Sequence, residues 1–520
     1  MTPRAIVAEL FAARFEALVR DMGELLERTA LSTNVKERRD FSCGLLGPTA
    51  ELVVNAPHIP VHLGALGPCL RAVEADLPLG PGDVAVTNSP AHGGSHLPDI
   101  TVLTPVFFGG QRLGTLASRA HHAEIGGSRP GSMPPDARCL EEEGVVIRPR
   151  LLVAGGRPRF DELARDLAAG RFPSRAIPEN LADLAAAVAG NARGAERLLA
   201  LASIHGAETV REQMALLAGR AADRLTAALR RLGDGRYAAE DRLDDGTPIR
   251  VTITVSDGRA RIDFGGSGPV HPGNLNATPA IVRSAVLYAL RLLVDEPELP
   301  LNEGLLGPVE LVIPPGVLNP PFVADPARSP AVVGGNTETS QRVVEVLVAA
   351  LGLAAGSQGT MNNLIFGDAS FGYYETICGG CGATPEGPGA SAVHSHMTNT
   401  RITDPEILEL RYPVRLRRFE VREGSGGAGH FRGGDGVRRE LEFLAPVSLS
   451  LVTQGRVVGP RGAAGGAAGA PGRQWLERAD GTREPLGSVA GAELVAGDRV
   501  IVETPGGGGW GPERGEGDPR

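Results

Sequence analysis

Six of the eleven histidines, His58, His62, His92, His96, His121 and His122, fall between positions 58 and 122. Imidazoles and carboxylates gathered in this way are the usual ligands of divalent metals. The densest segment reads His92-Gly93-Gly94-Ser95-His96-Leu97-Pro98-Asp99, followed by an apolar run over 101–108, then Gly109-Gly110, then a second apolar run that returns to Ala120-His121-His122. Two glycines between strand-like runs are a two-residue hairpin loop. Such a loop sets His121 opposite Pro98 and Ala120 opposite Asp99. His96, Asp99 and His121 then meet at the open end of one hairpin, two imidazoles and one carboxylate with coordination positions left for substrate. A divalent cation held there, Mn, Zn or Fe, would act as a Lewis acid or activate water. The plainer alternative is that these histidines bond to backbone, and the convergence of two of them with Asp99 favours the metal. His122 and Glu124 are the candidate catalytic pair, His122 as a general base or as a group that orients a ligand. His58, His62 and His92 are candidates to support ligands or meet substrate, although Pro57 and Pro60 argue against a helix presenting His58 and His62 together.

Other polar spots carry less. Cys378-Gly379-Gly380-Cys381 has the spacing of half a zinc site, but no further cysteine is near enough to complete it. His394-Ser395-His396 followed by Thr398-Asn399-Thr400-Arg401 is a dense polar run, a ligand-binding or interface loop or else a well-bonded turn. Asn274, Asn276, Thr278 and the run Asn336-Thr337-Glu338-Thr339 are expected as helix caps. Gly424-Ser425-Gly426-Gly427-Ala428-Gly429 matches the dinucleotide fingerprint, yet the residues from His430 to Phe443 read as strand, so the helix N-terminus that would cradle a pyrophosphate is missing.

The elements that must position these residues can be read from periodicity. Thr2-Pro3 opens a helix whose apolar stripe is Ile6, Leu10, Phe11, Phe15, Leu18, Val19, Met22, Leu25 and Leu26. Short apolar runs over 84–87, 101–108 and 112–118 are expected strands. An Ala- and Leu-rich stretch over 178–232, ending at Gly233-Asp234-Gly235, predicts two or three helices. Asp257-Gly258 joins a hairpin, and helices are expected over 279–294 and 337–351. Runs at 414–421, 438–443, 447–453 and 499–503 alternate apolar and polar residues between many glycines, while Gly465-Gly466 and Gly506 through Gly509 read as turns or loose termini. The expected fold class is α+β: a multidomain mixed α/β chain with an antiparallel metal-bearing hairpin in its N-terminal third and a β-rich, Gly-rich C-terminal module. The expected domains are 1–160 with the histidine cluster, a helical segment 161–235, a mixed domain 236–410 and the β-rich module 411–520.

Composition excludes several classes. Only Lys36 among the 52 basic residues is a lysine, so no P-loop exists in these 520 residues, and its charged neighbourhood is poorly suited to Schiff-base chemistry. A net charge of −9 disfavours a duplex-DNA binder. No run is long and apolar enough to cross a bilayer, Glu9 and Glu16 stand where a signal peptide would be apolar, and five cysteines are too few for a disulfide scaffold. The expectation is a soluble cytoplasmic protein that binds neither nucleic acid nor membrane.

Several long motifs in order carry a resemblance. Lys36-Glu37-Arg38-Arg39-Asp40-Phe41-Ser42-Cys43, His58-Ile59-Pro60-Val61-His62-Leu63-Gly64, Gly93 through Asp99, Arg119-Ala120-His121-His122, Pro130-Gly131-Ser132-Met133-Pro134, and Ser391 through Arg401 together resemble the hydantoinase B/oxoprolinase family over nearly the whole chain. Asn88-Ser89-Pro90-Ala91 departs from the Asn-Asp-Pro-Tyr common there, Glu124 stands where Asp is usual, and Thr453-Gln454-Gly455-Arg456 replaces a more charged run. The resemblance implies a hydantoinase A-type partner that binds ATP, a hetero-oligomer, and a cyclic amide substrate such as a hydantoin or 5-oxoproline. It also implies kinship with acetone and acetophenone carboxylase subunits, in which a His, an Asp three residues later and a further His hold a metal, matching His96, Asp99 and His121. The expected activity is hydrolysis of a cyclic amide C–N bond, with ATP-dependent ketone carboxylation or a non-catalytic assembly role as alternatives.

Overall fold

The computed structural model describes residues 3–56 and 59–513, so Thr2 as a cap and His58 lie outside the described residues. The first helix, Pro3–Thr29, buries Phe11, Phe15, Leu18, Val19, Met22 and Leu26. Ile6 and Leu10, expected on the same stripe, are 48% and 54% exposed, because the helix meets the core only from Phe11 onward. This helix and the long helix Ile177–His205 pack on one face of a seven-stranded sheet. The strand order is Leu52–Asn55, Phe41–Leu46, Gln111–His121, Asp99–Phe108, Val84–Thr87, Arg150–Ala154, Arg157–Pro158, with every neighbouring pair antiparallel. The helix Leu66–Asp76 covers part of the other face through Leu66, Cys69, Leu70 and Val73. With both faces covered, the strands read as near-continuous apolar runs.

The central hairpin forms with the Gly109-Gly110 loop, both glycines in the left-handed region that such a loop requires. Its register departs from the expected one by a single residue. Phe107 pairs with Arg112 but Val106 pairs with Gly114, leaving Leu113 as the extra residue of a β-bulge. Asp99 is therefore opposite His121, not Ala120. A one-residue slip exchanges the faces of a strand, and this one puts Asp99 and His121 on the same face.

The helices Ile177–His205 and Ala207–Leu232 meet at Gly206, whose left-handed backbone ends the first. The second leads into a four-stranded sheet, ordered Val309–Val312, Arg259–Asp263, Pro248–Ser256, Gly235–Arg242. Asp257 and Gly258 both have positive φ in its hairpin turn. The helices Pro279–Leu292 and Ser340–Ala350 pack on this sheet. Thr278 caps the former as expected, and the latter is entered through a π-helical turn, Gly335–Thr339.

Two further sheets enclose a third apolar core. One is ordered Gly372–Thr376, Asn363–Gly367, Val447–Val452, Val489–Leu494, and the other Val414–Arg422, Gly436–Phe443, Arg499–Glu503, Arg473–Glu477, Arg483–Pro485. The first of these includes the strand pair 363–376, which the periodicity of the sequence did not single out. The chain is an α+β protein with several antiparallel sheets.

Gly506 through Gly509 are neither turns nor loose ends, whereas Gly465 is an exposed turn residue with positive φ, as expected. Gly427, Gly433, Gly434 and Gly506 through Gly509 are buried and Gly426 and Gly466 half-buried; all lie outside any ladder and pack backbone against backbone. Gly427 N donates to Gly507 O, Gly507 N to Gly434 O, Gly434 N to Cys381 O and Gly508 N to Gly356 O, all at 2.8–2.9 Å. A Cβ on Gly507 would stand 1.8 Å from Cys381 O, and one on Gly433 2.0 Å from Gly507 O. Only glycine allows extended chains to approach so closely, as on the collagen axis. Gly379 and Gly380 belong to the same packing, which accounts for the intervening residues of the Cys378–Cys381 pair without invoking the sulfurs.

Candidate metal centre

Three neighbouring strands assemble the site. Asp99 and His121 are paired residues, while Phe41 pairs with Ala120. His121 N donates to Asp40 O at 2.9 Å, so Asp40 continues the row. Alternate residues of a strand face opposite sides. Phe41, Ile100 and Ala120 are committed to the apolar core, and that commitment turns Asp40, Asp99 and His121 to the other face. His96 reaches them through a turn in which Asp99 N donates to His96 O at 3.1 Å. The loop before it must be glycine: a Cβ on Gly93 would meet Cys69 Cα at 2.7 Å and one on Gly94 would meet Asn88 O at 2.5 Å.

One ligand atom from each of His96, Asp99 and His121 lies within 4.8 Å of the others. His96 Nε2 is 3.2 Å and His121 Nδ1 3.5 Å from Asp99 Oδ1. All three residues are buried, yet both ring nitrogens of His96, His121 Nε2 and Asp99 Oδ1 have no hydrogen-bond partner among the described residues. An unpaired buried polar atom costs ~1–3 kcal/mol. Four of them on metal-ligating side chains fit a divalent cation as the missing partner.

Asp99 Oδ2 is held from the opposite side. Ser95 Oγ donates to it at 2.5 Å, and His62 Nε2 lies 3.3 Å away. Ser42 Oγ, which donates to Ile59 O at 3.3 Å, lies 3.1 Å from His62 Nδ1 and holds the ring with Nε2 facing Asp99. Burial pushes the Asp99 carboxyl up, but the imidazoles of His96, His62 and His121 around it outweigh that and hold the group well below the usual carboxylate range. Burial lowers the pKa of His121 against the opposing pull of Asp99 and Asp40, which leaves a neutral imidazole with a free lone pair at neutral pH. Its ring stacks on Tyr374 at 4.5 Å and 13°, and the Arg38 guanidinium sits 4.5 Å from the centre of that same tyrosine ring. Arg38 is fully buried, donating to Tyr374 O at 2.9 Å and to Thr400 Oγ1 at 3.1 Å.

The structure does not bring every candidate to this centre. His122, one residue on, faces away and contacts Asn180 Oδ1 at 2.9 Å, and burial lowers its pKa. Glu124 is a buried anchor: it accepts from Gly126 N at 2.6 Å and Gly131 N at 2.9 Å and pairs with Arg175 at 3.2 Å. With both oxygens engaged, it organises the 124–131 loop and has no geometry for a general base. His92 bonds Ser89 Oγ at 2.9 Å and Asp76 at 2.8 Å, outside the trio. His394 is half-buried, and its pKa is pushed down to about 4 by desolvation and then by the Arg38 charge. His396 pairs with Glu345 at 2.8 Å.

His62 supports Asp99, as expected of a candidate to hold a ligand; the prolines argued only against one helix presenting it together with His58, which lies outside the described residues. Pro60 starts the one-turn helix Pro60–Leu63 instead of breaking one. Asp40 was missed because its place depends on a strand pairing between segments about eighty residues apart.

The chain matches the Hydantoinase B/oxoprolinase family model over residues 4–513. It is 45% identical to 5-oxoprolinase 1 of Arabidopsis thaliana across 96% of this chain and 41% of that protein. It therefore spans about two fifths of that relative's length. An uncharacterised protein of Methanocaldococcus jannaschii is 33% identical across 97% of this chain and 90% of its own length. Among solved structures, the ATP-dependent caprolactamase from Pseudomonas jessenii superposes with a TM-score of 0.87 at 28% identity, covering 98% of this chain and 92% of that one. Nucleotide-free acetone carboxylase has the same fold, with a TM-score of 0.87 at 18% identity over 98% of this chain and 76% of that one.

Proposed function

The chain belongs to the hydantoinase B/oxoprolinase family, and on that premise we propose that it is the metal-bearing hydrolytic part of an ATP-dependent cyclic amide hydrolase that opens a lactam or imide ring. The observation that carries this reading is the buried trio His96, Asp99 and His121 with its four unpartnered polar atoms. Likeness to a 5-oxoprolinase and to an ATP-dependent caprolactamase supports a cyclic amide as the substrate class and ATP as the energy source. The nucleotide is handled outside these residues, by a hydantoinase A-type portion in a hetero-oligomer. All five cysteines are free, in keeping with a reducing cytoplasm.

Amide resonance is the barrier to ring opening, and phosphorylation of the ring carbonyl oxygen by the ATP-handling portion removes it. A divalent cation, Mn, Zn or Fe, held by His96, Asp99 and His121, with Asp40 as a neighbouring carboxylate, would supply Lewis acidity and lower the pKa of water beside it. Asp99 stays ionised, with Ser95 and His62 fixing its orientation. His121 stays neutral and is clamped by the Tyr374 ring.

The test is metal analysis by inductively coupled plasma mass spectrometry alongside ring opening in the presence of the A-type portion. Near-stoichiometric cation and turnover in the wild type, both lost in His96→Ala while the complex still assembles, is the expected result. Turnover retained by the metal-free variant would refute the reading, and incorporation of carbon dioxide without ring opening would replace it with a carboxylase.

A further inference from the structure

A cleft of about 550 Å³ opens beside the first helix, lined chiefly by Arg20, Glu24, Glu27, Arg28, Arg39 and Arg401. Its size falls in the range that holds a small ligand. Four guanidiniums against two carboxylates make it a positive pocket on a chain of net charge −9. Glu27 holds Arg39 at 2.8 and 2.7 Å, and Glu24 lies 3.8 Å from Arg28. The guanidiniums of Arg20 and Arg401 make no hydrogen bond among the described residues, and Arg20 is engaged only by the charge of Glu16 one helical turn back.

The cleft lies back to back with the metal centre. Arg38 and Asp40 face inward, toward Tyr374 and His121, whereas Arg39 between them lines the cleft. That reversal is made by the Arg39 backbone at φ 55, in the left-handed region, which costs a residue with a side chain ~1–2 kcal/mol where glycine would pay little. Thr400 likewise turns inward to Arg38 while Asn399 and Arg401 line the cleft. Arg401 N donates to Arg38 O at 2.9 Å, tying the two segments together. The floor of the cleft and the wall of the metal centre are thus the same two short segments.

Guanidinium forks recognise phosphoryl oxygens in paired, charge-assisted hydrogen bonds, more strongly and with more directional preference than a point charge does. We propose that this cleft binds a phosphoryl group, with Arg20 and Arg401, the two arginines that make no hydrogen bond, as its ligands, and receives the phosphorylated ring on its way to the metal centre. The second clause rests on the hydrolase reading above, and the first does not.

The test is isothermal titration of the metal-free chain with inorganic phosphate, which requires neither turnover nor the ATP-handling portion. Binding by the wild type, weakened by about tenfold or more in the Arg20→Ala/Arg401→Ala double variant, is expected. Arg401 makes no side-chain bond and Arg20 gives up only its attraction to Glu16 on the helix surface, so thermal melting should change little. Glu24→Gln, which removes an opposing charge, should tighten binding several-fold, and His96→Ala should leave it as it was. Equal affinity in wild type and double variant would overturn the proposal, as would no binding at about 10 mM phosphate, far above the affinity of a functional site. ADP binding about tenfold or more tighter than phosphate would also overturn it, by making the cleft a nucleotide site. Within the complex, the double variant should raise KM for the ring substrate more than it lowers kcat. Should ring opening fail altogether while phosphate binds as expected, the hydrolase reading falls and the phosphoryl site stands.

Discussion

His62 provides the sharpest test of how the candidate metal centre is held. Asp99 Oδ2 has two supports, the Ser95 hydroxyl at 2.5 Å and His62 Nε2 at 3.3 Å, while Oδ1 is left for the cation. His62→Phe keeps the ring volume of a side chain that is 1% exposed and deletes only the donor. A hydrogen bond to a charged group is worth ~1.5–3 kcal/mol, and loss of a group supporting a ligand typically costs ~10–100-fold in metal affinity. The two ranges agree, since tenfold is about 1.4 kcal/mol. Competition against a chelator of known affinity, with Mn and Zn in turn, reads the loss directly. The expected outcome is a 10–100-fold weaker cation with an intact melting profile, and His62→Gln, which can still donate, should recover much of it. A cation bound as tightly by His62→Phe as by the wild type would refute the argument that His62 orients Asp99.

Three further predictions concern the framework. Glu143 is buried among the Val332 and Val333 backbone amides, and burial pushes its carboxyl up from 4.5 to about 8. Its contribution to stability is therefore full below pH 4.5 and is lost as pH rises toward 8, at ~1.4 kcal/mol per pH unit at most. Denaturant unfolding between pH 5 and 8 should show a smaller decline in Glu143→Gln, and parallel profiles would count against the assignment. Gly507→Ala, whose Cβ would meet Cys381 O at 1.8 Å, should cost about 3 kcal/mol or more, whereas Gly387→Ala, with nothing within 4 Å, should leave the melting temperature where it was. Glu124→Gln should lower thermal stability by breaking the pair with Arg175 while leaving cation content unchanged, and loss of the cation would restore Glu124 to the centre itself.

The candidate site was legible where its parts are local and obscure where they are not. His96, Asp99 and His121 sit on one hairpin and its approach, so a glycine loop and two apolar runs sufficed to bring them together. The face they share was not legible: the expected register put Ala120 opposite Asp99, and only the bulge at Leu113, a choice made by packing along the strands, corrects it. Asp40, Tyr374 and Arg38 come from distant segments whose pairing leaves no periodic trace. In the fold, amphipathic helices and alternating strands were readable because one side of each is apolar. Gly506 through Gly509 were misread because a core made of backbone has no side chains from which to read a period.

That glycine core has a thermodynamic signature of its own. Its contacts are amide to carbonyl, so assembling it removes polar more than apolar surface from water, and polar surface enters the heat capacity of unfolding with the opposite sign. The C-terminal third should thus have a flatter stability curve than the apolar cores beside it, less weakened by cooling and less strengthened by salts that drive apolar burial. Glycine also surrenders more backbone freedom than any other residue, and the strands of this core come from positions 356 to 511. Its closure is therefore expected late in folding, after the flanking sheets have brought distant segments side by side, and stopped-flow refolding of Gly507→Ala should show its destabilisation in the unfolding rate and not in the folding rate.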